Sequence, residues 1–165
     1  MATDSVETLI LRPLPLAEAR LILAGQPTEE MRRTWHPEYP LSDTLDALAL
    51  LINAYEAIGG ALNDQPPWWI DQMVMADQVV GDIGFHGPPS PEEPHTVEIG
   101  YCVVPAWRRR GVAGRACAMI LARAWAQGVD VIMAETDANN PASPRVLRRN
   151  GFRSADGAIF MISRP

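Results

Sequence analysis

Apolar and polar positions divide this chain into segments of two periods. VETLILRPL (6–14) reads as a first strand, ended by Pro13 and Pro15. LAEARLILA (16–24) changes to helical spacing through Leu16, Ala19 and Leu23, and TEEMRRTW (28–35) predicts a short helix capped by Thr28 with acidic residues in its first turn. After HPEYP breaks the chain, residues 42–60 place Leu45, Leu48, Ile52 and Tyr55 on one helical face, with Ser42 as the cap and Gly59 as the stop. WIDQMVMADQ and VVGDIGFHG then predict a hairpin turning near Asp77-Gln78. GPPSPEEPH (87–95), with four prolines, predicts an extended solvated loop.

HTVEIGYCVV is the next expected strand, and Pro105 stops it. Residues 111–127 predict a helix whose apolar face runs through Ala113, Ala116/Cys117, Ile120/Leu121 and Ala124/Trp125 to a stop at Gly128. VIMAET (131–136) follows as a short buried strand, SPRVLRRN as a short helix ended by Gly151, and AIFMIS as the last strand. Helices, then a meander, then β-α-β-α-β predict a mixed α/β layer architecture. At 165 residues the chain is expected to be one domain, 1–165.

Charge narrows the function classes. A net charge of -6 and a pI near 5.0 argue against a nucleic-acid binder, which would carry a broad basic face. No basic n-region with a long apolar stretch opens the sequence, and no apolar run approaches the ~20 residues of a membrane span. No metal-ligand spacing joins Cys102 and Cys117 to His36, His86 and His95, so no metal is expected. His86 and His95 flank the proline-rich loop and read as surface residues. The expected setting is a cytoplasmic, reducing one.

Against that acidic background, Arg108, Arg109 and Arg110 stand together where a strand gives way to a helix. The first four amides of a helix lack internal partners, and the helix dipole leaves positive partial charge there. Gly111 opens a close approach for a phosphate or pyrophosphate, and the arginines add fixed charge. A solvated arginine cluster is the plainer alternative.

In order and in combination, RRRGVAG after VEIGYCVVP and NNPASPRVLRRNGF about thirty residues later resemble the GNAT superfamily of acetyl-CoA-dependent N-acetyltransferases. Arg108, Gly111 and Ala113 match the family's first signature, and Asn140, Ser143, Gly151 and Phe152 match its second. LILRPL and VVGDIGF…VEIGY look like the branch containing ribosomal-protein and small-molecule N-acetyltransferases. The resemblance implies a mixed, mostly antiparallel central sheet with a splayed strand pair, flanked by helices. It implies acetyl-CoA as cosubstrate, its pyrophosphate cradled by Arg109, Arg110, Gly111, Val112, Ala113 and Gly114 beside Arg108. Tyr101, Cys102 and Val103 would pair with the pantetheine arm, the amides of Cys102 and Val103 would face the thioester carbonyl, and Asn140 would hold the pantetheine side. Cys102 is read as a backbone contact rather than a nucleophile, and Cys117 as packing.

Acyl transfer needs a neutral amine, and an alkylammonium is deprotonated only about once in a thousand molecules at pH 7. Glu135, five residues before Asn140, is the first candidate base and Glu98 on the preceding strand the second. Many members carry a tyrosine four residues before the GF glycine, where it protonates the leaving thiolate; this chain has Leu147. Ser143 is a candidate replacement, although Ser143-Pro144 also reads as an N-cap and N1 pair. The implied acceptor is a small-molecule amine or a protein N-terminal amine, and neither it nor the oligomeric state is written in the sequence. The missing tyrosine keeps open an alternative, a catalytically weak acyl-CoA-binding or regulatory domain.

Overall fold

The computed structural model describes residues 7–57 and 67–165. Seven strands form one sheet: β1 (Ile10–Pro13), β2 (Ile70–Met75), β3 (Gln78–Phe85), β4 (Thr96–Val103), β5 (Val131–Glu135), β6 (Arg153–Asp156) and β7 (Ile159–Ser163). Their order is β1-β2-β3-β4-β5-β7-β6, and β4–β5 is the parallel pair. The helices are α1 (Leu16–Leu23), α2 (Glu29–Arg33), α3 (Ser42–Ala57), α4 (Val112–Ala126) and α5 (Ala142–Arg149). The expected mixed, mostly antiparallel sheet flanked by helices is what the chain forms.

Local chemistry accounts for most boundaries. Ala76 and Asp77 both take positive φ (46° and 60°), so a two-residue turn joins β2 to β3 with the twist that suits a hairpin. Thr28 caps α2 by accepting from the Met31 amide at 3.2 Å. Gly128, at φ 82°, follows α4 where a left-handed residue ends a helix at least cost. Three expectations need correction. Ser42 is the first residue of α3, and its hydroxyl bonds Asp43 instead of a helix amide. Ser143 lies inside α5, and Asn140 does the capping, its Oδ1 accepting from the Ser143 amide at 3.3 Å. RSAD forms the additional strand β6. The proposed stop at Gly59 lies outside the described residues.

The core fills both faces of the sheet. Leu48, Leu51 and Ile52 of α3 pack on one side; Ala116, Cys117, Ile120 and Ala124 of α4 pack on the other. Each large apolar side chain so buried contributes about 1.5–3 kcal/mol. Trp35, Trp68 and Trp69 belong to this packing: Trp35 meets Tyr39 edge-on, Trp68 meets Phe85, and the Trp69 indole donates to the Leu14 carbonyl at 3.0 Å. Leu147 is buried completely in the core.

The site arises where the sheet splits. β4 and β5 are paired only at Thr96–Val131, Val97–Ile132 and Glu98–Met133. Beyond Glu98, β4 stays with β3 as far as Val103, while Ala134 and Glu135 stay with β7. The strands therefore open a gap between their C-terminal halves. A splay leaves this edge free, with an unbroken β3–β4 register through it.

Candidate active site

The gap leads into a cleft of about 580 Å³ between α3, the faces of β3 and β4, the end of β5 and the start of α5. The alternation of the β3–β4 ladder assigns its backbone. His86 N bonds Glu98 O at 2.9 Å and Val104 N bonds Val80 O at 2.8 Å. With pairing at every second residue, Gly100 and Cys102 spend their amides on β3, and Ile99, Tyr101 and Val103 turn theirs toward the gap. This corrects one expectation: the Cys102 amide belongs to the sheet, and Val103 keeps the one free to meet a carbonyl. The same alternation places Asp82, Gly84, His86, Glu98, Gly100 and Cys102 on the α3 face.

Just past β4 the chain makes a short helical turn, Pro105–Trp107, and then the arginine segment. Arg109 and Gly111 have φ of 59° and 74°, so the chain curls tightly before α4. No side chain among the described residues caps α4, and a Cβ at Gly111 would meet nothing within 4 Å. Uncapped amides, an open approach and three exposed arginines form a cradle for an anion. Arg108 Nε donates to the Val103 carbonyl at 2.9 Å, and the Arg110 guanidinium lies 4.8 Å from the Trp107 ring centroid. Val112 is buried, while Ala113 and Gly114 are half-buried at the first turn of α4.

The candidate acid–base residues meet in the cleft. Glu135 lines it from the exposed end of β5, Glu98 from β4, and Asn140 and Ser143 from the far wall. The Ser143 hydroxyl, free of capping, is 2.8 Å from the Tyr101 hydroxyl. Burial pushes Tyr101 up to about 12. Leu147 does not line the cleft, so the place where the resemblance implies a tyrosine is here part of the core.

Two further residues belong to the site. Asp82 is only 4% exposed yet lines the cleft, with Thr44 Oγ1 donating to Oδ2 at 2.5 Å and Cys102 Sγ donating to Oδ1 at 3.3 Å. Burial raises its carboxyl to about 6, against those two hydrogen bonds. Burial and the Asp82 charge push the Cys102 thiol well above its ordinary range, which leaves a neutral thiol and no nucleophile. Burial likewise takes Cys117 to about 12 within the core.

His86, expected at the surface, instead lines the cleft with its Nδ1 3.1 Å from Glu98 Oε1. Hydrogen bonding to His86 holds Glu98 below the ordinary carboxylate range, over the opposing effect of partial burial. The signal was present in the alternation, since Asp82, Gly84 and His86 share a face.

Asp43 and Asp46 of α3, with Asp137 after β5, bring the cleft's carboxylates to six. The protein has 14 arginines and no lysine, and no arginine lines the cleft. Among the described residues, Glu98 alone of the six pairs with an ionisable nitrogen base. The electrostatics favour a cation on the α3 side, opposite in sign to the arginine turn.

Known proteins share this fold. No curated protein matches the sequence. Among solved structures, an acetyltransferase of Agrobacterium tumefaciens is 20% identical, with 94% of this chain and 91% of that chain covered and a TM-score of 0.58. A Salmonella typhimurium protein, assigned as an acetyltransferase and solved with its cofactor acetyl-CoA, is 18% identical, with 94% and 93% covered and a TM-score of 0.58. The ribosomal-protein-S5-alanine acetyltransferase of Vibrio fischeri is 16% identical, with 95% and 93% covered and a TM-score of 0.62. At such identities the likeness is one of fold. The family model for the acetyltransferase (GNAT) domain matches residues 8–153, nearly the whole chain, and the protein belongs to the GNAT acetyltransferases.

Proposed function

We propose that the chain is a single cytoplasmic acetyltransferase domain that moves an acetyl group from acetyl-CoA to a primary amine by direct attack in a ternary complex. The observation that carries this reading is the split between β4 and β5, with an acidic cleft on one side and the uncapped, arginine-flanked start of α4 on the other. The residues fit the cosubstrate. Arg108 to Gly114 would hold the pyrophosphate through backbone amides and charge. The gap-facing amides of Tyr101 and Val103 would hold the pantetheine arm, and Asn140 would flank it. Acetyl-CoA supplies the activated thioester.

The remaining chemistry falls to the protein. The Val103 amide is placed to stabilise charge developing on a carbonyl oxygen. The six carboxylates attract an ammonium, whether of a small molecule or of a protein N-terminus, and one basic group must take its proton; Glu135 and Glu98 are the carboxylates expected for that task. With the Tyr101 hydroxyl beside it, Ser143 can turn its own proton toward the departing sulfur. A thiol of pKa near 8.5 leaves without much help, so Ser143 is an aid and not a requirement.

Gly111→Glu tests cosubstrate binding, because it sets a carboxylate where the pyrophosphate should lie. Calorimetry should show acetyl-CoA affinity reduced by at least tenfold in the folded variant. Unchanged affinity would contradict the assignment of this turn.

A further inference from the structure

We propose that His86 is the general base of the acetyl transfer and that Glu98 is its positioning residue. The inference rests on the transferase reading above and goes beyond the carboxylates it names. His86 and Glu98 face each other directly across β3 and β4, joined by the ladder bond from His86 N to Glu98 O. With Nδ1 3.1 Å from Glu98 Oε1, the imidazole has its Nδ1–H directed at the carboxylate and its Nε2 lone pair free.

Gly100 provides the seat for the ring. A Cβ there would fall 2.5 Å from His86 Nε2, so the ring edge lies against the bare backbone of β4. That position is one residue before Tyr101 and three before Val103, whose gap-facing amides form the edge proposed for pantetheine. A base located there reaches the amine from the α3 side as the amine approaches the thioester. The other histidines lie outside the cleft, and although His36 Nδ1 is 3.6 Å from Glu38 Oε2, that pair faces no acceptor site. His36 Nδ1 accepts the Glu38 amide, His95 Nδ1 is taken up by the Ser90 carbonyl, and neither lines the cleft.

The dyad gives Glu98 a task other than taking the proton itself. Glu98 spends Oε1 on the imidazole and is held below the ordinary carboxylate range, which leaves Nε2 as the better-placed acceptor. Glu98 fixes the tautomer and balances the imidazolium, the division of labour known from His–carboxylate pairs elsewhere. The charged groups that line the cleft with His86 are Glu98 on β4, Asp82 on β3, Asp43 and Asp46 on α3, Glu135 at the end of β5 and Asp137 just after it. All are carboxylates, which stabilise the imidazolium once it forms. In the step itself, the ammonium first gives one proton to solvent. The neutral amine's lone pair then forms the C–N bond as the carbonyl π pair moves to oxygen, and one of the two protons left on nitrogen passes to Nε2. The C–S bond then breaks with its electron pair on sulfur, and the imidazolium proton returns to give the free thiol.

The experiment combines a binding-free readout with kinetics. Side-chain ¹⁵N NMR of the free protein should show His86 protonated at Nδ1 and bare at Nε2. Glu98→Gln, whose amide oxygen still accepts a hydrogen bond, should keep that tautomer, whereas Glu98→Ala should release it. With acetyl-CoA and either a primary diamine or an alanyl peptide, His86→Gln should lose roughly 10²-fold in turnover and the acidic limb of the pH–rate profile. Glu98→Gln should keep the limb and lose less than Glu98→Ala.

Gly100→Ala gives a second route. The added methyl meets only a movable ring, so the melting temperature should hold while turnover falls with the displaced imidazole. An Nε2-protonated tautomer in the wild type would overturn the dyad and leave the transferase reading standing. So would Glu98→Gln proving as inactive as His86→Gln, or Glu135→Gln alone removing the acidic limb. A wild type that acetylates neither amine would overturn the transferase reading for these acceptors and the assigned base together.

Discussion

Asp82 shows how much one buried carboxylate can set against the fold. Its carboxyl titrates at about 6 in the folded protein, against an ordinary 3.8, so the folded state holds that proton more tightly than the unfolded chain does. Stability from this group is therefore greatest below pH 3.8, declines as pH rises toward about 6, and is level above that. The difference corresponds to roughly 3 kcal/mol at neutral pH. Asp82→Asn keeps an acceptor for Thr44 and removes the charge. Urea unfolding should find the variant more stable by about 1–3 kcal/mol at pH 7, with the gain shrinking as pH falls to 4. A pH-independent difference would mean that the carboxyl titrates alike in the folded and unfolded chain, as a well-solvated one does. Because Asp82 lines the cleft and ties α3 to β3 and β4 through Thr44 and Cys102, the added stability should come with altered acceptor KM.

Elements, not residues, explain why some glycines tolerate change and others do not. At Gly81 a Cβ would fall 2.2 Å from the Cys102 carbonyl oxygen, and at Gly84 2.5 Å from that of Trp69. Both obstacles are backbone, Cys102 within β4 and Trp69 immediately before β2. Gly81→Ala must therefore push β3 from β4 and should lower stability by about 1–3 kcal/mol. A melting temperature for Gly81→Ala equal to that of Gly100→Ala would contradict the strand packing described here.

Helix α5 makes a related point. Leu147 fills the core completely, so Leu147→Tyr adds a ring and a hydroxyl where neither has room or a partner. The variant should lose roughly 1–3 kcal/mol without gaining turnover. A faster, equally stable Leu147→Tyr enzyme would show instead that the position opens onto the cleft.

Over the whole molecule, what was legible in the sequence is what local chemistry decides. The helix through Cys117, the hairpin turn and the Gly111 turn each rest on residues within a few positions of one another. The helix and the Gly111 turn appear as read, and the hairpin turns one residue earlier, at Ala76-Asp77, with Gln78 opening β3. β6 was missed because all four of its residues are exposed, so it carries no apolar alternation. Ser143 was misplaced because Asn140, three residues earlier, supplies the same capping chemistry. The cleft was harder to read. Thr44 meets Asp82 38 residues away, and Tyr101 meets Ser143 42 residues away, so both contacts depend on strand register and helix docking. His86 looked like a loop residue because the proline-rich segment begins just after it, although its parity with Asp82 already placed it on the cleft face.

The central claim is that a split sheet with an arginine-flanked helix start and an acidic cleft moves acetyl groups from coenzyme A to amines. Its most direct test incubates the wild-type protein with acetyl-CoA and a panel of primary amines, following free thiol and acetylated product together. The account predicts thiol release that depends on the amine, with one N-acetyl group formed for each thiol. Acetyl-CoA bound at the Gly111 turn with no amine acetylated, or thiol released without N-acetyl product, would contradict it.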